Sequence, residues 1–375
     1  MMLDVPLRRQ VAEVFADLAA ENGAAGKILQ TAQAWARREE ADLAYVALAR
    51  TCLHPVVGGR VRTGLYEWSR ERRAAQTLKL TIVRVGQVLG ETYPSIAMTR
   101  LKHLATFGNA QVRDEVAEAA GGLARVHRRE VFEAALEWCE AAVRCSSERD
   151  GAGLAGVALR VLVDLVRGGP DGAGPLRLRA VLDAVGNLAA EGGRFGPLAM
   201  GAAETLAAEY PAEVVRAALG WVNDVHDDPF GRTPERARFG SALFVALASG
   251  RDEHGHAVML TGQGAVDPED CAFAWQVALG EPLAGDRGVV DVAELWLDTA
   301  LARPDLRPGI VECLVWAAYG DRRRRRRAVD LVRAWSETRR DGRDVRDDVL
   351  VELLLPEWRR LLLRLQVGLR RAAGG

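Results

Sequence analysis

Two twelve-residue stretches of this chain carry one pattern, and a chain that repeats itself is expected to fold as repeating units. Residues 7–18 read LRRQVAEVFADL and residues 112–123 read VRDEVAEAAGGL. Both begin with Leu or Val followed by Arg. Both continue with Val-Ala-Glu, end on Leu, and are followed by Ala19 or Ala124. A second pattern trails each copy: Leu29, Ala32, Trp35 and then Phe132, Ala135, Trp138. It returns as Val215, Ala218, Trp221, and more loosely as Val329, Val332, Trp335. Apolar residues three apart on a helix line up as one ridge. The same ridge after the same companion helix is what a stacked array of helix pairs requires. Residues 170–209 echo the pattern with a shifted spacing.

The remaining signals are helical. Val11, Val14, Phe15 and Leu18 form one stripe, and Leu154, Val157, Ala158, Val161 and Leu165 another. Strand-like alternation is nearly absent. Proline falls where helices should begin, at Pro6, Pro94, Pro197, Pro211, Pro234 and Pro268. Its missing N–H is harmless in a first turn. Thr233 and Asp267 are placed to cap, and Gly168-Gly169-Pro170 and Gly192-Gly193 to terminate. The punctuation predicts roughly eighteen helices of ordinary length. Two connections, 223–233 and 250–266, are longer. A helix in such an array has one face for its pair-mate and another for the next pair. Wide apolar stripes with Ala and Gly at close approaches are expected.

Residues 109–123, NAQVRDEVAEAAGGL, resemble the second-helix consensus of HEAT repeats. In that pattern an Asn or Asp cap precedes Val-Arg, small residues, Gly and Leu. Asn109, Val112, Arg113, Ala117, Ala119, Gly121 and Leu123 stand in the matching places. Residues 1–20 depart from it at Phe15 and Ala16, where Leu and Gly are usual. The resemblance implies an all-α, right-handed α-α superhelix, here of roughly nine helix pairs. It implies that Arg113 bridges to a neighbouring repeat, and it carries no catalytic residues. Three segments are expected: HEAT-like repeats over 1–145, divergent repeats over 146–320, and Arg-rich helices closing the array over 321–375. Solenoid ends normally need a polar cap. Here the motif begins by residue 7, so the N-terminal face is expected to pack on another chain, or to mark a longer ancestral array.

Composition narrows the function classes. The 375 residues are 49% hydrophobic and 27% charged, as in folded proteins, with a net charge of −1 that favours no polyanionic partner. The distribution is uneven: residues 321–375 carry 16 Arg against nine acidic groups. Only Lys27, Lys79 and Lys102 are lysines, a bias that matches a GC-rich bacterial genome. Cys52, Cys139, Cys145, Cys271 and Cys313 are odd in number and lack C-x-x-C spacing, which points to a reducing cytoplasm. No signal peptide or membrane-spanning run is expected.

Few groups invite chemistry. The run Arg322, Arg323, Arg324, Arg325, Arg326, Arg327 cannot share one helical face, and cations at a helix start oppose the dipole. Phosphate-backbone binding is physically reasonable there, although no aromatic residues interleave for base stacking. His254 and His256, beside Asp252 and Glu253, could ligate a metal, but lack the HExxH spacing and a nearby third ligand. His226-Asp227-Asp228 is a weak His-Asp doublet. The apolar, basic stretch 349–369 is expected to close the last repeat, with a kink at Pro356; a partner-binding helix or an amphipathic membrane-surface helix are the alternatives. No nucleophile elbow or phosphate loop is present, and no cofactor is expected. The chain therefore reads as a non-catalytic scaffold binding protein in a cytoplasmic assembly. The alternative is nucleic-acid binding on an Arg-rich surface. The DNA-alkylation-repair branch of HEAT-like proteins would supply an enzymatic version, needing a Trp and Asp pocket.

Overall fold

The computed structural model describes residues 5–168, 174–223, 233–251, 253–257, 286–317, 322–339 and 342–354. The described residues form 17 helices and no strand; one isolated bridge joins Arg251 to Ala257. The chain divides into two compact units, Met1–Ala202 and Ala203–Gly375.

Unit 1 holds α1 (Val5–Glu21), α2 (Ala25–Arg37), α3 (Ala41–Thr51), α4 (Gly58–Arg70) and α5 (Gln76–Thr92). It continues with α6 (Pro94–Phe107), α7 (Ala110–Ala124), α8 (Arg128–Val143), α9 (Glu148–Arg167) and α10 (Gly174–Ala190). The unit boundary falls within α11 (Gly196–Ala207). The starts follow the expected chemistry. Pro94 opens α6, Pro6 and Pro197 sit second in α1 and α11, and the Asn109 side chain accepts from the Val112 N–H at 3.0 Å to cap α7.

Packing in unit 1 has two rows. Odd helices touch in succession, α1 to α3, α3 to α5, α5 to α7 and α7 to α9. Even helices do the same from α2 through α8, with α10 on α8. Each helix also meets its chain neighbour, which joins the rows. Small residues set the spacing. The Leu29 side chain of α2 lies where a Cβ on Gly64 of α4 would stand, and Leu123 of α7 does the same at Gly90 of α5. The two recurrent sequence patterns fall on separate rows: residues 7–18 and 112–123 lie in α1 and α7, the Trp ridges in α2 and α8.

Unit 2 contains α12 (Pro211–Asn223), α13 (Thr233–Ala248), α14 (Asp286–Ala302), α15 (Arg307–Ala317), α16 (Arg322–Thr338) and α17 (Arg343–Leu354). Its core gathers Val215, Phe244, Trp296, Ile310, Trp335 and Val345. The indoles of Trp296 and Trp335 each find an acceptor, as buried polar groups usually do. Trp296 donates to the Ala248 carbonyl at 3.3 Å and Trp335 to Asp298 at 2.9 Å. The connection 223–233 lies almost wholly outside the described residues, as do Pro268, His226, most of 250–266 and everything after residue 354.

Candidate interaction surface

Helix α1 has two apolar faces of different character. Ala12, Ala16, Ala19 and Ala20 are buried. With so little side chain between them, α1 and α3 approach closely. The large aliphatic residues point away from that contact: Leu7, Val11, Val14 and Leu18 are 44, 52, 57 and 55% exposed. Their spacing of four, three and four residues keeps them on one stripe, about 16 Å long at the helical rise of 1.5 Å per residue. Ordinary surface helices put alanine outside and leucine inside. This one inverts that order.

Helix α7 shows what the stripe is for. In the repeated pattern Leu7, Val11, Val14 and Leu18 correspond to Val112, Val116, Ala119 and Leu123. Those four are 0, 0, 0 and 4% exposed. α7 packs on the preceding odd helix α5, and the Leu123 methyls sit against Gly90. The positions buried on α7, among them Leu123 that seats it on α5, are thus bare on α1. The sequence placed Val11, Val14, Phe15 and Leu18 on one stripe. The structure separates Phe15, which is half-buried and meets the Trp35 ring edge-on at 5.7 Å.

Polar bonds tie successive odd helices together. Arg50 of α3 grips Asp17 of α1 through two bonds of 2.6 and 2.9 Å. Arg84 of α5 stands 3.5 Å from Asp42 of α3, and Arg160 of α9 stands 2.9 Å from Asp114 of α7. At the remaining joint Gln76 of α5 bonds Gln111 of α7. Exposed pairs of this kind contribute about 0–1 kcal/mol each. They fix which helix follows which more than they add stability.

A second set of cations sits on carbonyls at helix C-termini, where the last turn leaves acceptors unmatched and the dipole is negative. Arg62 donates to Cys52 O at the end of α3 at 2.7 Å. Lys79 donates to Phe107 O, the end of α6, at 2.8 Å and to Arg72 O at 3.0 Å. Arg113 donates to Ala105 O at 3.0 Å and reaches Thr106 O at the end of α6, and it also lies 3.5 Å from Arg149 O in the first turn of α9. Gly153 of α9 leaves room for it, since a Cβ there would fall 2.0 Å from the guanidinium carbon. Arg128 closes α9 on Leu165 O. Of these only the Arg113 bridge was implied by the sequence resemblance; the contacts of Arg62, Lys79 and Arg128 were not, since arginine abundance read as genome composition.

The residues singled out from sequence lie apart from this surface in the chain. The run Arg322–Arg327 forms the first turns of α16, with Arg326 exposed and Arg325 and Arg327 half-buried. The side chains of Arg322, Arg323 and Arg324 lie outside the described residues. His254 and His256 occupy a tight turn closed by the Arg251–Ala257 bridge, with Gly255 at φ +81°. Their rings are 6.1 Å apart, and His254 lies 3.7 Å from Glu253. The turn is anchored by the Ala257 N–H donating to Thr299 at 3.0 Å. Among the described residues no three His, Cys, Asp or Glu side chains are grouped to hold a metal ion, and no helix is long and apolar enough to cross a membrane.

The buried ionisable groups are tuned toward inertness. Burial pushes the Cys52 thiol up to about 11 and the Cys139 thiol up to about 12, so neither is a thiolate at neutral pH. Burial and then the neighbouring Arg70 guanidinium lower His103, which packs between Tyr66 and Phe107 as a neutral ring. Burial pulls Arg100 down to about 10, helped by Arg62 beside it. It remains charged and donates to Arg62 O and Ile96 O. No protein-family model matches the chain, and a search of curated proteins returns no match.

Proposed function

We propose that the chain is a HEAT-like α-solenoid, a right-handed superhelix of stacked helix pairs, working as a non-catalytic protein-binding scaffold in a cytoplasmic assembly. The observation that carries the reading is the bare stripe Leu7, Val11, Val14, Leu18 on α1, set against its buried counterparts on α7. A stacking face of four large aliphatic side chains is a binding surface for another helix. The two-row packing and the recurring Asp–Arg joints supply the architecture. Arg113, spanning α6 and the start of α9, matches the bridging role that the HEAT resemblance implies.

The expected result is that Val11→Glu, Val14→Glu chain keeps its helical circular dichroism but no longer recovers the stoichiometric protein partner that the unaltered chain recovers from native lysate. Equal recovery by both would contradict the reading. Because both positions are more than half exposed, the substitutions leave the fold's own contacts in place.

One observation favours nucleic acid as a second reading: Arg326 is exposed within six consecutive arginines at the start of α16. Against it, many other arginines are already spent on helix ends and carboxylates. Phosphate contacts give steep salt dependence, so the two readings separate on immobilised heparin or DNA. The scaffold reading expects release below about 150 mM salt with little slope. Retention that falls steeply with salt, and is lost in Arg325→Ala, Arg326→Ala, Arg327→Ala chain, would move the assignment to nucleic acid.

A further inference from the structure

The bare stripe on α1 reads the same in both directions. Its residues are Leu7, Val11, Val14 and Leu18, with leucine at each end and valine at each middle position. The gaps are four, three and four, symmetric about the point between Ala12 and Glu13. A two-fold axis through that point, perpendicular to the helix, maps the stripe onto itself. A second α1 running antiparallel would set Leu7 beside the other copy's Leu18, and Val11 beside its Val14. An isologous contact needs this kind of self-complementary patch. A stripe repeating every three and four residues is also the seam along which two helices pack.

Charge follows the same symmetry. The first half of α1 carries Arg8 and Arg9, and the second half Glu13, Asp17 and Glu21; Arg8 lies 3.7 Å from Glu40 and Asp17 is held by Arg50 within the chain, so the complementarity rests on Arg9 against Glu13 and Glu21. This order opposes the helix's own dipole, because the first turn has no acidic group and the last turn no basic one. In an antiparallel pair each basic half lies alongside the other copy's acidic half, and the two dipoles run in opposite senses. A parallel pair would set like halves together. A head-to-tail contact would leave one stripe uncovered at the end of every open assembly.

We infer that the chain forms a two-fold homodimer through antiparallel α1 helices. The inference rests on the reading of α1 as a stacking face, and names a second copy of this chain as its occupant. One helix pair buries less than the standard interface of ~1,600 Å², so association is expected at micromolar rather than nanomolar concentration.

The test is sedimentation of the purified full chain from about 1 to 200 µM, the range set by that modest area. The mass is expected to rise from 40.7 kDa toward twice that value. Val11→Glu, Val14→Glu chain is expected to remain at monomer mass throughout, with unchanged circular dichroism. Geometry is read separately by mixing Val11→Cys chain with Val14→Cys chain under mild oxidation and mapping the disulfide by mass spectrometry. The antiparallel register expects the mixed 11–14 bridge between copies, well above the 11–11 and 14–14 bridges. Monomer mass at the highest concentration, open-ended oligomers, or dominant 11–11 bridges would each overturn the inference. A chain that is monomeric when pure, yet loses its lysate partner on the α1 substitutions, would overturn the homodimer and leave the scaffold reading standing. Loss of neither would overturn both.

Discussion

Trp138→Ala is expected to destabilise unit 1 by about 3–5 kcal/mol, the cost of emptying a buried aromatic site that cannot collapse. The indole is 1% exposed in α8, a helix that meets α6, α7, α9 and α10. Trp35 stands at the same position of the repeated ridge, on α2. It is half-buried and leans on Phe15, so Trp35→Ala is expected to remove about half as much. The contrast follows from place in the row: α8 has even-row neighbours on both sides, α2 only α4. Two compact units need not unfold together, so a single melting midpoint is a poor readout. Amide exchange in α6–α9 is the appropriate one. Equal effects at the two tryptophans would contradict the stacked arrangement.

Asp298→Ala is expected to weaken unit 2 by about 1–3 kcal/mol, because it strands the buried Trp335 indole N–H, whereas the exposed Arg339 guanidinium can turn to water. Asp298 of α14 accepts the Trp335 indole N–H at 2.9 Å and both arms of Arg339 at 3.0 Å. The indole belongs to a fully buried side chain and has no water to turn to. Burial alone would raise the Asp298 carboxyl, but the bonds from Arg339 and Trp335 outweigh it and hold the group below its ordinary 3.8. The stabilisation is therefore complete above that value and fades as pH falls through the lower, folded one. Arg339→Met chain is expected to lose unit 2 structure at higher pH on acid titration, followed by amide exchange in α14 and α16. An unchanged acid midpoint would show that Arg339 does not hold the carboxylate.

The regular parts of this fold were legible because local rules carry them. Prolines marked the starts of α6 and α12, Asn109 capped α7, and the Trp ridges fell on α2, α8, α12 and α16 as their spacing required. The joints were not legible. Asp17 and Arg50, or Asp114 and Arg160, are dozens of residues apart, and no periodicity within one helix connects them. Lys79 and Arg128 act on carbonyls of other helices, and a carbonyl leaves no mark in a sequence. The α1 stripe was half legible. Periodicity placed Val11, Val14 and Leu18 on one apolar stripe together with Phe15. What it did not show is the part played by alanine: Ala12, Ala16, Ala19 and Ala20 are buried at the contact with α3, and the larger side chains are left for the opposite face.

The most direct measurement is residue-resolved carbene or hydroxyl-radical footprinting of the chain, dilute and alone, and again within the assembly isolated from cells. The account predicts strong labelling of Leu7, Val11, Val14 and Leu18 in the dilute chain and their protection in the assembly, with Val112, Val116 and Leu123 protected in both. Equal labelling of the α1 stripe in the two states, with protection confined to Arg325–Arg327, would contradict it.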